Sequence, residues 1–222
     1  MPSHLVVCPS KSIRKINMKL LTLFCVTTVL GISQVAMAAK TDPTLKESPA
    51  PSSVIKQTPT GSKSIRYVLI DYGVPGGKLY LHEYKVGTGD AATRRLAILT
   101  PSGKRIQDFQ LGYAPETVSY DYKIHPQWIV PSRNKLASLH FEGPGSHLFI
   151  VFANGFSRPG SQQFLSELEG TKKRLISFNE LDRRGYRMVR IDVDEPAVEN
   201  KPAFKATEYY FWKGSKFQEK LP

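Results

Sequence analysis

His140, Glu142 and His147 come nearest in this chain to a set of residues that could hold a metal. A strand through His140-Phe141-Glu142 sets the imidazole and the carboxylate on one side. The Gly143-Pro144-Gly145 loop could then return His147 to them, giving three ligands. That spacing matches no strong metal signature, and Phe141 and Leu148 give both segments a packing role. Polar residues flanking a turn are the simpler reading. Asp192-Val193-Asp194-Glu195 offers carboxylates, but Pro196 follows where a calcium loop needs further alternating acids and a glycine. Outward acids at a strand end account for it. The glycine-rich stretches Gly73–Gly77 and Gly87–Gly89 lack the Lys-Ser/Thr and following helix of a phosphate cradle. No metal or cofactor is expected.

Nucleophilic catalysis is tested next. Phe149 to Phe156 resembles the strand of an α/β-hydrolase that runs into the oxyanion loop, and Arg184 to Val189 resembles the next strand of that fold. The chemistry then needs a G-x-S-x-G elbow followed by an acid and a histidine. Gly155-Phe156-Ser157-Arg158-Pro159 lacks the last glycine, no histidine follows His147, and only 66 residues remain after Phe156. The chain is therefore not expected to be an enzyme; an unrecognised hydrolase would need paired carboxylates or a metal that the sequence does not place.

Binding is the better prospect. Gly112 to Asn134 is irregular, with Pro115, Pro126 and Pro131, yet it carries Tyr113, Tyr120, Tyr122 and Trp128. An aromatic loop of this kind can stack on sugars or anchor a partner, and Tyr113 to Pro131 is a candidate protruding loop. Its blander role is to wrap the sheet and cap an open edge. Arg183, Arg184 and Arg187 belong to a basic group with Lys172, Lys173, Arg174 and Arg190. They either converge on one patch or decorate solvated hairpin ends.

The net charge supports an anionic partner. The chain of 222 residues has 31 Lys and Arg against 19 Asp and Glu, a formal +12. Residues 1–38 hold four of the basic residues and none of the acids. Without them the balance is 27 against 19, or +8. An anionic envelope component or a protein partner is expected; nucleic acid is not, because the chain carries an export signal.

That signal is residues 1–38. Lys11, Arg14, Lys15 and Lys19 form a positive n-region, Leu20 to Ile32 an apolar h-region of 13 residues, and Ala36-Met37-Ala38 a cleavage site. Thirteen apolar residues are too few to cross roughly 30 Å of hydrocarbon, so no transmembrane anchor is expected after processing. Met18 is an equally good start. Both cysteines, Cys8 and Cys25, lie in this leader, and bulky Phe24 argues against a lipoprotein signal. A mature chain without disulfides suits a bacterial periplasmic or secreted protein.

The elements that must position any site read as β-structure. Residues 39–62 form a Pro/Ser-rich tether, and a single β-rich domain occupies 63–222. Arg66–Tyr72, Lys78–Val86, Arg94–Thr100 and Arg105–Leu111 make four strands at regular spacing, an antiparallel meander. Leu136–Phe141, Arg187–Val193 and the Thr207–Trp212 hairpin follow the same pattern. Residues 161–169 fit either a short helix capped by Ser161 or a strand, with the strand preferred because Glu169-Gly170-Thr171-Lys172 then turns into Arg174–Phe178. At the centre stands His147–Phe156, whose run Leu148–Phe152 is apolar at five successive positions and fenced by turn residues. That is the pattern of a strand buried on both faces. The fold class is mainly β, with antiparallel sheets in a sandwich or partial propeller-like meander and one short helix at most.

Lys135–Phe217 resembles the degenerate FG-GAP/VCBS-type β-repeats of exported bacterial proteins. The likeness rests on Leu139-His140-Phe141-Glu142-Gly143-Pro144-Gly145-Ser146-His147-Leu148-Phe149-Ile150-Val151 and on the closing Tyr209 to Phe217. Members of that family often carry an acidic calcium loop where Glu142 to Ser146 stands. One acid is present here, so calcium is not implied. The resemblance implies β-sheets and extracytoplasmic residence and names no activity. The expectation is an exported, non-catalytic binding or inhibitory module, or else a cell-wall or carbohydrate binder.

Overall fold

The computed structural model describes residues 42–114, 116–152, 155, 156 and 159–219. The leader, its cleavage position, both cysteines and Asn154 lie outside them. Fourteen strands and one short α-helix, α1 (Ser52–Ile55), are found among the described residues, with two single-turn 3₁₀ segments. The strands form three antiparallel sheets, each a meander in chain order. The first holds β1 (Thr44–Glu47), β2 (Ser62–Asp71), β3 (Lys78–Val86), β4 (Thr93–Leu99) and β5 (Arg105–Gln110). The second holds β6 (Lys123–Val130), β7 (Lys135–Gly143), β8 (Ser146–Phe152) and β9 (Ser161–Ser166). The third holds β10 (Leu168–Glu169), β11 (Lys172–Ser177), β12 (Met188–Glu195), β13 (Phe204–Trp212) and β14 (Phe217–Glu219). No described helix is long and apolar enough to cross a membrane.

The second sheet is the middle layer, and the alternation of its side chains makes it so. Leu139, Phe141, Leu148, Ile150 and Phe152 point into one core with Leu79, Leu81, Leu96 and Ile98 of the first sheet. Phe149 and Val151 point the other way, into a second core with Ile176, Val189, Ile191, Val193, Trp212 and Phe217 of the third sheet. Every residue of β8 from His147 to Phe152 is buried, so the doubly buried strand expected from the apolar run is present. Polar clasps join the layers. Tyr72 Oη donates to the Ser138 carbonyl at 2.7 Å, and Gln107 meets Gln162 at 2.8 Å. Gln163 brackets Phe217, accepting its N–H at 3.2 Å and donating to its carbonyl at 3.3 Å. The result is a sheet-dominated, all-β architecture of the coarse sandwich or propeller-like kind.

The stretch 112–134, expected to be irregular because of its prolines, contains the eight-residue strand β6. Residues 161–166 are strand, and Gly170 (φ +61°) makes the expected turn between β10 and β11. Pro126 sits inside β6 without penalty because β6 is an edge strand, paired only with β7.

The segment from residue 42 to 61 departs from the expected tether. β1 pairs with β2 over four residues, and Val54 of α1 is fully buried beside Ala50, Tyr84, Ala97 and Leu99 on the back of the first sheet. Composition missed this because only two or three apolar side chains are needed to cover a sheet face already lined by tyrosines. The β4–β5 turn seals the contact: a Cβ on Gly103 (φ +87°) would sit 2.3 Å from the Ser53 carbonyl oxygen. Gly103→Ala therefore combines a strained backbone with a main-chain clash and destabilises by about 2–3 kcal/mol. Limited proteolysis should then cut within 48–61 while the strands of the three sheets stay protected. Uniform protection would show that the Gly103–Ser53 contact does not hold α1 against the sheet.

Candidate functional site

Two features carry chemistry: a string of imidazoles between the second and third sheets, and the outer face of the third sheet. Strand alternation places His125 (β6), His140 and Glu142 (β7) and His147 (β8) on one face of the second sheet, where His125 opposes His140 and Glu142 opposes His147. The Glu167 carboxylate accepts from His147 Nε2 at 2.8 Å, and His147 Nδ1 shares a second hydrogen bond, also at 2.8 Å, with His140 Nε2. Glu142 turns to His125 instead, at 2.7 Å. The three residues singled out as possible ligands do converge, but His140 and His147 spend ring nitrogens on each other, and Glu142 pairs elsewhere. Among the described residues no group of His, Cys, Asp and Glu has the geometry to hold a metal.

His140 also stacks flat on Phe149 at 4.4 Å and meets the edge of Phe178. Burial, reinforced by the positive charge that His147 and His125 can carry, lowers its pKa to about 3. His140 and His147 thus form a hydrogen-bonded pair, anchored by Glu167 and set in an aromatic wall, with His125 and Glu142 paired alongside. His140 and His147 are buried, while His125 at the end of the row is partly exposed.

The aromatic loop behaves differently from its sequence promise. Trp128 is 5% exposed and belongs to the core between the first two sheets, so it is not a surface platform. Tyr122 joins a buried carboxylate network: its hydroxyl donates to Glu83 Oε2 at 3.1 Å, beside Arg66 Nε at 2.8 Å and Arg94 Nε, which binds Oε1 at 3.0 Å. Burial raises the Tyr122 pKa to about 12. Burial also opposes ionisation of Glu83, but hydrogen bonds from Arg94 and Arg66 outweigh it and hold the carboxyl below its usual range. Tyr120 lies under the Arg94 guanidinium and edge-on to Tyr113. Tyr113 alone is well exposed, at 72%. The wrapping role explains the loop: its aromatics cover the end of the first core.

The basic group also divides. Arg187 is a staple, its Nε donating to the Trp128 carbonyl at 3.0 Å and its main-chain N–H to the Ile129 carbonyl at 2.7 Å. It closes the open edge of β6. Arg174 bridges Glu169 and Glu208, Lys172 meets Glu195, and Arg190 lies between Glu180 and Asp192. Arg184 is bound to Asp182 at 2.8 Å and lies over the Tyr186 ring at 4.8 Å. Among the described residues, Arg183, Lys173 and Lys213 make no ion pair.

Those unpaired cations rim the outer face of the third sheet. There Met188 and Phe211 are cross-strand partners, as are Arg190 and Tyr209. Tyr209 and Phe211, two residues apart on β13, present ring centroids 6.4 Å apart at 41°. A shallow groove of about 800 Å³ runs over them, edged by Arg183, Arg184 and Lys213. A second groove of about 580 Å³ continues past Thr207 to Lys205 and widens across β12 onto Leu175 and Lys173 of β11. Arg183 and Arg184 were legible as basic residues, whereas Tyr209 and Phe211 were read only as hairpin residues. Their alternation with inward Tyr210 and Trp212 was the available signal.

Comparison with known protein families, with curated proteins and with solved structures finds no match.

Proposed function

We propose that this is an exported, non-catalytic binding module whose third-sheet outer face engages an anionic component of the bacterial envelope. The observation that carries the reading is the coincidence of a half-buried, outward-facing aromatic pair with three cations that make no ion pair among the described residues. An inward-facing aromatic or a fully paired arginine would serve packing alone; these do neither. The positive balance of the chain adds a long-range attraction for anions, weakened by salt. The likeness of Lys135–Phe217 to FG-GAP/VCBS-type repeats, together with the leader, supports residence outside the cytoplasm.

The test is binding of the purified protein to isolated lipopolysaccharide and peptidoglycan over a salt series, beside a variant carrying Arg183→Gln and Lys213→Gln. The expected result is salt-sensitive binding that the double variant weakens by about tenfold or more, a loss of roughly 1.4 kcal/mol. A single stoichiometric protein partner retained by the double variant would sink the reading and favour an inhibitory role for the exposed Tyr113 loop.

A further inference from the structure

We infer that the outer face of the third sheet takes an acidic polysaccharide, one whose hydroxylated rings carry scattered carboxylates. This rests on the anion-binding reading above and narrows it. Three properties of the face point to sugars.

The first is length. The two grooves lie end to end along β12 and β13, and the track from Lys205 to Lys213 spans about 26 Å at the usual strand rise. A track of that length suits several linked units better than one small molecule. The second is the platform. Tyr209 and Phe211 are half-buried, tilted and shallowly set, and such rings receive the apolar face of a sugar lying flat. An acyl chain would need a deep enclosed slot instead.

The third property decides between polyanions. The same face carries fixed acceptors among its cations: Asp192, which holds the Thr207 hydroxyl at 2.7 Å and Arg190 at 3.1 Å, and Asp194, paired with Lys205 at 3.3 Å. A DNA strand or a polyphosphate bears a charge on every unit and brings no hydroxyl donors along its backbone, so these carboxylates repel it. A sugar chain offers hydroxyl donors to Asp192, Asp194 and Thr207, and places its sparser carboxylates near Lys173, Arg183 and Lys213.

Titration calorimetry on the purified protein with four probes tests this: a hexamer of alternating glucuronic acid and N-acetylglucosamine, with a carboxylate on every second ring, the same hexamer methyl-esterified, inorganic polyphosphate and single-stranded oligothymidine. The uronate hexamer should bind tightest, and esterification, which removes the charge and adds a methyl group at each carboxyl, should weaken it by about tenfold. Tyr209→Ala and Phe211→Ala should each weaken it by about the same factor. Arg183→Gln with Lys213→Gln should lower affinity for the charged hexamer more than for the ester. Near-ultraviolet dichroism establishes that each variant keeps its fold, and Lys173→Gln, at an exposed position, supplies a charge variant remote from the aromatic pair. Tighter binding of polyphosphate or oligothymidine, indifferent to Tyr209→Ala, overturns the sugar assignment while leaving an anion-binding face. Equal binding of hexamer and ester overturns the need for charge, and with it both readings. No binding of any probe, together with no effect of the charge variants on envelope binding, removes the face as a site altogether.

Discussion

Phe149→Ala and Ile150→Ala, neighbours on β8 that face opposite ways, each destabilise the domain by about 2–5 kcal/mol. Phe149 stacks on His140 and meets Phe178 edge-on at 4.9 Å in the core shared with the third sheet. Ile150 is fully buried in the core shared with the first. Each truncation removes apolar area from contact and leaves a cavity that close-packed sheets cannot refill. On a strand with one wet face, one of the two substitutions would fall within about 0.5 kcal/mol of neutral. Because the two side chains sit in separate clusters, their effects should nearly add. Against a typical total stability of roughly 5–15 kcal/mol, the double variant would stand near the limit of folding. Urea unfolding followed by tryptophan fluorescence measures this. A near-neutral value for either single variant would remove the second sheet from the middle of the molecule.

Acid should unfold this protein earlier than its carboxylates alone would require. His140 is lowered to about 3 by burial and by the neighbouring His147 and His125 charges. His82 is fully buried between Tyr67 and Tyr84 and is lowered to about 4, by burial first and then by the charge of Arg105, against a smaller opposing effect of Asp108. An unperturbed histidine titrates near 6.5. Between about pH 6.5 and 3 the unfolded chain therefore holds a proton on residue 140 that the folded chain refuses, and the same is true of residue 82 down to about pH 4. Stability contributed by these neutral rings is whole above pH 6.5 and is lost as the pH falls through that window. Each group contributes a slope approaching about 1.4 kcal/mol per pH unit. From pH 7 to pH 5 the two together should remove roughly 4 kcal/mol. His140→Gln, whose amide can still donate to His147 Nδ1, should halve the slope, and equilibrium unfolding at pH 7, 6 and 5 measures it. A pH-independent stability over this range would mean that both rings are reached by water.

The two expectations draw on different depths of information. The apolar run Leu148–Phe152, bounded by Gly-Pro-Gly-Ser and Asn-Gly, announces a strand buried on both sides, because no solvated face tolerates five such residues in succession. Likewise the alternation of Val189, Ile191 and Val193 against Arg190 and Asp192 determines which face of β12 is dry. These are local, period-two signals, and they survive folding unchanged. The seven residues named for binding fared unevenly because partnership is not local. Trp128 and Tyr122 are aromatic in sequence, but only the closure of the first sheet over the second decides that one is core and the other a ligand of buried Glu83. Arg187 and Arg183 are indistinguishable as letters; one staples β6 and the other remains without an ion pair among the described residues.

By itself, then, the sequence determined an all-β antiparallel chain, the approximate place of most of its strands though not of β1 or β6, the strand at its centre and its positive charge. Those follow from side-chain alternation, turn chemistry and counting. The tertiary structure decided that residues 42–61 are bound to the first sheet and that His140, His147 and Glu167 form one hydrogen-bonded string. It also decided which face of the third sheet stays open. The reason is physical: a strand's own sequence dictates which side chains share a face, whereas what covers that face depends on segments far away in the chain.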